Sequence, residues 1–266
     1  MKTGFLLVIA LILALFITQA SANEEEFPNR KLYPETTPIS LDDLNKQKDQ
    51  VIIVDVRSAY EYETLNITGA LNIPLNSKGF VEDIIELRAT RSEPIVFYCN
   101  GKTCKKSYKA AARALKSDIP NVLVYDAGIF DWARKYPNDS TLLGKSPVKQ
   151  NQLISSADFK KHLIEHPAFV DKASSKAIVL DIRDPTQREG LYIFNNNEYP
   201  VPLDNAKLQE FVDRAKAEEK TLLIYDAVGK QVRWLQYYLE DQQLASYYFM
   251  KGGAKAYFDS LLGEYR

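Results

Sequence analysis

The chain is poor in metal-binding and cross-linking side chains, with two cysteines and two histidines among 266 residues. Both cysteines, Cys99 and Cys104, fall in one short segment. A disulfide-stapled scaffold, with bridges spread along the chain, is therefore excluded. His162 and His166 have no evident companion ligand nearby, so no zinc-type set forms and no metal is predicted. Both histidines read as solvent residues. An excess of charge of one sign is also missing: 34 basic and 35 acidic side chains leave a net charge of −1. Neither nucleic-acid binding nor polybasic membrane adhesion is suggested by that balance.

A long apolar run occurs only at the beginning. Lys2 supplies a positive start, Phe5 to Ile17 an apolar stretch, and Ala20-Ser21-Ala22 a small-residue cleavage site. This is the pattern of a cleavable export signal, residues 1–22, and it is short for a membrane span. The expected protein is periplasmic or secreted, begins at Asn23, and has no membrane attachment after processing. An uncleaved anchor is the alternative.

What the chain does have is an internal repeat. Ser40 with Asp43, and Ser155 with Asp158, each read as a variant capping box that opens a short helix. Matching strands follow, Val51-Ile-Ile-Val-Asp55-Val-Arg57 and Ala177-Ile-Val-Leu-Asp181-Ile-Arg183. Next come Ile95-Val-Phe-Tyr-Cys99 and Leu222-Leu-Ile-Tyr-Asp226, whose last residues lie 44 and 45 positions after Asp55 and Asp181. Helices and the strands Val122–Tyr125 and Tyr247–Met250 complete each copy. Apolar strands alternating with helices predict two α/β domains, each a mainly parallel sheet flanked by helices. The expected bounds are 38–136 and 152–264, joined by a polar, turn-rich linker over 137–151. Trp234, Tyr237 and Tyr238 sit at helical spacing and predict core or interdomain packing.

The chemistry concentrates in Cys99-Asn100-Gly101-Lys102-Thr103-Cys104-Lys105-Lys106-Ser107. A buried strand ends at Cys99, the chain turns at Gly101, and a helix begins near Ser107. Backbone N–H groups and the helix dipole then point into the loop and favour a thiolate. Cys99 is the candidate nucleophile. Cys104 can act as resolving thiol, static disulfide partner or bystander. Lys102, Lys105 and Lys106 either lower the thiol pKa and attract an anion or are simply solvated.

These segments resemble the rhodanese (sulfurtransferase) superfamily in its tandem form. Asp55-Val-Arg57-Ser-x-x-Glu61, Ile67-Thr-Gly69-Ala70-Leu-Asn72-Ile-Pro74, the Tyr98-Cys99 loop and Asp126-Ala-Gly128 are similar to that family's motifs and occur in its order. Leu65-Asn66 replaces the family's Gly-His. The loop is longer than usual, with Ser107 eight residues after Cys99, and its length is similar to that of dual-specificity phosphatases. Lys105 stands where such a phosphatase carries arginine, and lysine lacks the bidentate fork for phosphate. The resemblance implies that Asn100, Gly101, Lys102, Thr103, Cys104, Lys105 and Lys106 line the substrate loop and that Asp55 and Arg57 brace it. It also implies that the second domain, with Asp226 in the nucleophile's place, is inactive, and that no cofactor is required.

The implied activity is an exported sulfurtransferase. It would move sulfur from an anion such as thiosulfate to cyanide, a small thiol or a protein thiol through a Cys99 persulfide. A thiol-disulfide or oxyanion-reducing enzyme using Cys99 and Cys104 is one rival. A non-catalytic binding protein is the other. N-terminal sequencing of the native protein is expected to begin at Asn23; a start at Met1 would overturn the export signal.

Overall fold

The computed structural model describes residues 26–174, 176–188, 192–194 and 197–264. The export segment 1–22 lies outside these. The chain forms two units, the first ending at Gln150 and the second beginning at Asn151.

In the first unit, β1 (Thr37–Pro38) leads to α1 (Leu41–Gln47), whose N-terminus is closed by Ser40 Oγ accepting from the Asp43 N–H. Next come β2 (Ile52–Asp55), α2 (Ala59–Thr64), β3 (Leu65–Ile67), β4 (Leu71–Asn72) and α3 (Phe80–Thr90). β5 (Ile95–Tyr98), α4 (Lys106–Lys116), β6 (Val122–Tyr125), α5 (Gly128–Lys135) and β7 (Ser140–Leu142) complete it. Strands β1, β6, β5, β2 and β4 lie in that order in one parallel sheet. All four residues of β2 and of β5 are buried, as unbroken apolar runs between helical layers should be. Register pairs Asp55 with Tyr98 and Tyr98 with Tyr125. The chain therefore leaves β2, β5 and β6 at one level, and the residues that follow, Val56, Cys99 and Asp126, share one carboxyl edge. Open parallel sheets bind ligands at that edge.

The second unit contains α6 (Ser156–Lys161), β8 (Leu163–Ile164), α7 (His166–Ala173), β9 (Ala177–Asp181), α8 (Pro185–Arg188) and β10 (Glu198–Pro200). It continues through α9 (Asn205–Ala217), β11 (Thr221–Tyr225), α10 (Val232–Asp241), β12 (Tyr247–Met250) and α11 (Gly253–Glu264). Its sheet order, β8-β12-β11-β9-β10, repeats the first strand for strand. Ser155 caps α6 by accepting from Asp158 N–H, as Ser40 caps α1. Trp234, Tyr237 and Tyr238 are buried, and Tyr238 packs in the core with Leu235 and Phe249.

Two expectations need correction. Residues 137–151 are not simply a linker: Ser140–Leu142 pairs antiparallel with β3, and Trp132 Nε1 donates to the Asp139 carbonyl at 3.0 Å. The polar composition there serves a tight turn that returns the chain to its own unit. His162 is also not a solvent residue. Its ring stacks on Tyr247 with centroids 4.1 Å apart, and its Nδ1 lies 3.1 Å from the Tyr247 carbonyl oxygen. The stacked face leaves the His162 side chain 26% exposed, half-buried rather than solvated.

Candidate active site

β5 delivers Cys99 to the carboxyl edge, where it is buried with 1% exposure. Its carbonyl accepts from the Ile129 N–H at 3.0 Å, which draws the start of α5 onto the loop. Gly128 makes that approach possible. With φ of +77°, an added Cβ would lie 2.3 Å from Gly101 N, so any side chain there would push the loop away.

The structure joins Cys99 to Cys104 in a disulfide, with Cα atoms 6.4 Å apart, inside the usual span for such a bond. The bridge closes a turn in which the Cys104 N–H donates to the Gly101 carbonyl at 2.8 Å. Cys104 is half-buried, so of the two sulfurs it belongs to the more accessible residue. In this oxidised form Cys99 is no free thiolate.

Beneath the loop lies a buried polar network. The Arg57 guanidinium, wholly buried, donates from Nε to Asp55 Oδ1 at 2.9 Å and from Nη2 to Asp55 Oδ2 at 2.5 Å. The same Nη2 reaches the Leu65 carbonyl at 2.6 Å, and Nη1 reaches Asn100 Oδ1 at 3.2 Å. Asn100 Nδ2 in turn donates to Glu61 Oε1 at 3.0 Å. Asp55 and Arg57 thus sit under the loop, where bracing requires them. Asn100, expected to line the substrate loop, instead directs its side-chain amide inward.

Glu61 was missed as a loop residue. It closes a full capping box with Ser58 at the start of α2, and its carboxylate also lies 3.5 Å from Lys106 Nζ. Only its capping role was signalled, by the Ser58-x-x-Glu61 spacing. Burial alone would raise its pKa, but Lys106, the Asn100 amide and Arg57 outweigh that and hold it below the ordinary carboxylate value.

The lysines divide. Lys102 is ion-paired to Glu26 and lies 3.5 Å from Asp131, and Lys106 faces Glu61. Lys105 and Thr103 are exposed. A second feature was not foreseen. Residues before β1 strap the loop, with Asn29 Nδ2 near the carbonyls of Lys102 (3.3 Å) and Cys104 (3.4 Å). Arg30 grips Asp126 through Nε at 2.8 Å and Nη2 at 3.2 Å, and Tyr33 stacks on Tyr108, whose hydroxyl donates to the same carboxylate.

The second unit shows what the equivalent loop does with an anion. Ala254 N–H donates to the Asp226 carbonyl, as Ile129 N–H does to Cys99, so the two positions correspond. The Asp226 carboxylate, buried, accepts from the backbone N–H groups of Val228 (2.9 Å), Gly229, Gln231 and Val232 (3.3 Å). Four amides converge on one negative side chain. Asp181 and Arg183 repeat the ion pair below, at 2.9 and 2.8 Å. Among the described residues no three His, Cys, Asp or Glu side chains gather as a metal-binding set.

Residues 37–135 match the family model described as rhodanese-like domain. That segment is similar to a rhodanese-like domain. Within it lie the disulfide loop, the Asp55–Arg57 pair and the Gly128 approach. The tRNA uridine(34) hydroxylase of Cytophaga hutchinsonii is 32% identical over 88 residues, which are 33% of this chain and 28% of the relative. That of Yersinia enterocolitica is 31% identical over 103 residues, 36% of this chain and again 28% of the relative. The chain thus spans under a third of the curated relatives' length. Among solved structures, the thiosulfate sulfurtransferase of Pseudomonas aeruginosa aligns over 84% of this chain and 44% of its own, at 18% identity and a TM-score of 0.35. A Bacillus halodurans protein aligns over 52% of this chain and 98% of its own, at 22% identity and a TM-score of 0.38.

The Glu61 carboxylate has a lowered pKa in the folded state, so its contribution to stability is complete above the ordinary value of 4.5 and is lost as pH falls through the lowered one. Glu61→Gln is expected to cost about 1–3 kcal/mol near pH 7. Urea midpoints measured against pH should show that gap closing in acid; a constant gap would contradict the assignment. Asp226→Ala strands four amide donors and is expected to destabilise the second unit by about 1.5–3 kcal/mol. Added sulfate should recover part of this by occupying the cradle, and an unfolding curve indifferent to sulfate would show that the cradle collapses.

Proposed function

We propose that the rhodanese-like domain is a sulfurtransferase that works through a Cys99 persulfide in its reduced form, outside the cytosol. The observation that carries this reading is the cradle of the second unit. The corresponding loop points four backbone N–H groups at an anionic side chain, which is the environment a thiolate or persulfide at Cys99 needs. Asp226 has neither the polarisability nor the chemistry to carry sulfur, so the second unit is read as inactive.

In the first half-reaction the Cys99 thiolate attacks the outer sulfur of thiosulfate. The sulfur–sulfur bond of the donor breaks, sulfite leaves with the bonding pair, and the enzyme holds a persulfide. In the second, a thiolate or cyanide attacks the terminal sulfur and releases the Cys99 thiolate. The Cys99–Cys104 disulfide must be reduced by two electrons before either step can begin. The same disulfide favours a second reading, in which Cys99 and Cys104 form a thiol-disulfide exchange pair.

Thiocyanate formation from thiosulfate and cyanide separates the two. Reduced wild-type protein and Cys104→Ser are expected to turn over at rates within about threefold of each other, and Cys99→Ser not at all. Thiosulfate should add about 32 Da to Cys104→Ser, the mass of one sulfur. Loss of turnover in Cys104→Ser, with disulfide exchange intact in the wild type, would favour the exchange pair instead.

A further inference from the structure

Between Pro94 and Ser117 the sequence has six basic residues and no acidic one, in a chain whose net charge is −1. α4 lays four of them, Lys106, Lys109, Arg113 and Lys116, along one wall of a groove of about 580 Å³. The spacing of three, four and three residues puts them on one helical stripe. Tyr33, Leu75 and Ala112 supply apolar lining, and among the described residues no carboxylate lines it. Arg113 is fixed there, since Nη1 donates to the Leu75 carbonyl at 3.0 Å and its guanidinium lies over the Phe80 ring. Lys106 is drawn toward Glu61. Lys109 and Lys116 are exposed, and among the described residues no carboxylate pairs with either. The groove begins at the helix end next to Cys104, the half-buried member of the disulfide.

We infer that this groove docks an acidic protein segment carrying the thiol that reduces the disulfide and accepts the sulfur. The inference deepens the sulfur-transfer reading and rests on it for the partner's role. Carboxylates on the partner meet the lysine stripe, and its apolar side chains cover Tyr33, Leu75 and Ala112. Its thiolate then attacks the Cys104 sulfur, forming a mixed disulfide and expelling the Cys99 thiolate. A second thiol of the partner resolves the mixed disulfide, leaving the partner oxidised and both enzyme cysteines reduced. A protein fits better than a nucleic acid because Tyr33, Leu75 and Ala112 give the groove an apolar floor beside the lysines and the chain as a whole carries no basic excess.

The probes are a ten-residue peptide of alternating glutamate and leucine, its lysine counterpart, and an oligouridylate of equal length. Fluorescence anisotropy on the full chain should show the glutamate peptide binding about tenfold or more tighter than the lysine peptide at low salt, with the preference gone at about 1 M, where screening reaches ~3 Å. Lys109→Glu/Lys116→Glu should abolish the preference, and the milder Lys109→Gln/Lys116→Gln should weaken it. A cysteine-ended glutamate peptide should reduce the wild-type disulfide faster than the lysine form. Reduction by 2-mercaptoethanol should be equal in wild type and variants, showing an intact loop. Equal binding of the two peptides, binding unchanged in both variants, or tighter binding of oligouridylate would each overturn the inference. No sulfur donor enters these measurements, so a failed thiocyanate assay and a failed docking experiment are distinguishable.

Discussion

A fully buried guanidinium at the carboxyl edge of the sheet is the constraint on which the site depends. Arg57 cannot give up its charge, and an unpaired charge in that position would cost several kcal/mol. The fold must therefore bring acceptors to it: both oxygens of Asp55, the Leu65 carbonyl and the Asn100 side chain. Each acceptor belongs to a different part of the chain, namely the end of β2, the start of β3 and the cysteine loop. Satisfying one cation thus ties three segments to one point. Apolar residues could bury the same volume, but they would not fix the loop's direction, because hydrophobic contacts carry little orientation.

The two units then differ by what sits above that platform. In the second, the carboxylate of Asp226 meets the four amides permanently, so the loop is closed by its own side chain. In the first, Cys104 N–H is turned to the Gly101 carbonyl and the sulfur of Cys99 is bonded to that of Cys104. A neutral disulfide has no need of convergent donors, whereas a thiolate or persulfide does. Reduction of the first loop is therefore a change in electrostatic demand as well as in covalent structure. The aspartate loop displays the arrangement such an anion favours.

The repeat and its strands were legible because a continuous apolar run ending in Asp-x-Arg occurs in each unit and a second apolar run ends 44 or 45 residues after its aspartate. Ile52–Asp55 and Ala177–Asp181 fall where those runs lie. Cys99 could be placed at a strand end by the same logic. The inward turn of Asn100 and the double duty of Glu61 could not, since both depend on contacts between segments about 40 residues apart. The strap over the loop left no periodic signal: Asn29 and Tyr33 flank a single 3-10 turn, Arg30–Leu32, too short for a period, and its contacts are set by tertiary structure. Polar composition misled at Ser140–Leu142, where a three-residue strand pairs in spite of its turn-rich surroundings.

That strap bears on the redox state of the loop through linkage. Asn29 donates toward the carbonyls of Lys102 and Cys104, which are oriented by the turn that the disulfide closes. Any contact made with the oxidised turn and lost in the reduced loop favours oxidation by the free energy of that contact, and oxidation strengthens the contact by the same amount. Arg30 and Tyr33 anchor the strap to Asp126 and Tyr108, groups outside the cysteine loop itself. Glu26 pairs with Lys102 of the loop as well, so the strap meets the oxidised turn through Glu26 and Asn29 while Arg30 and Tyr33 hold it in place. The division is between an anchor outside the cysteine loop and contacts made with the loop itself. It makes the balance between disulfide and dithiol depend on the loop's surroundings as well as on its two sulfurs.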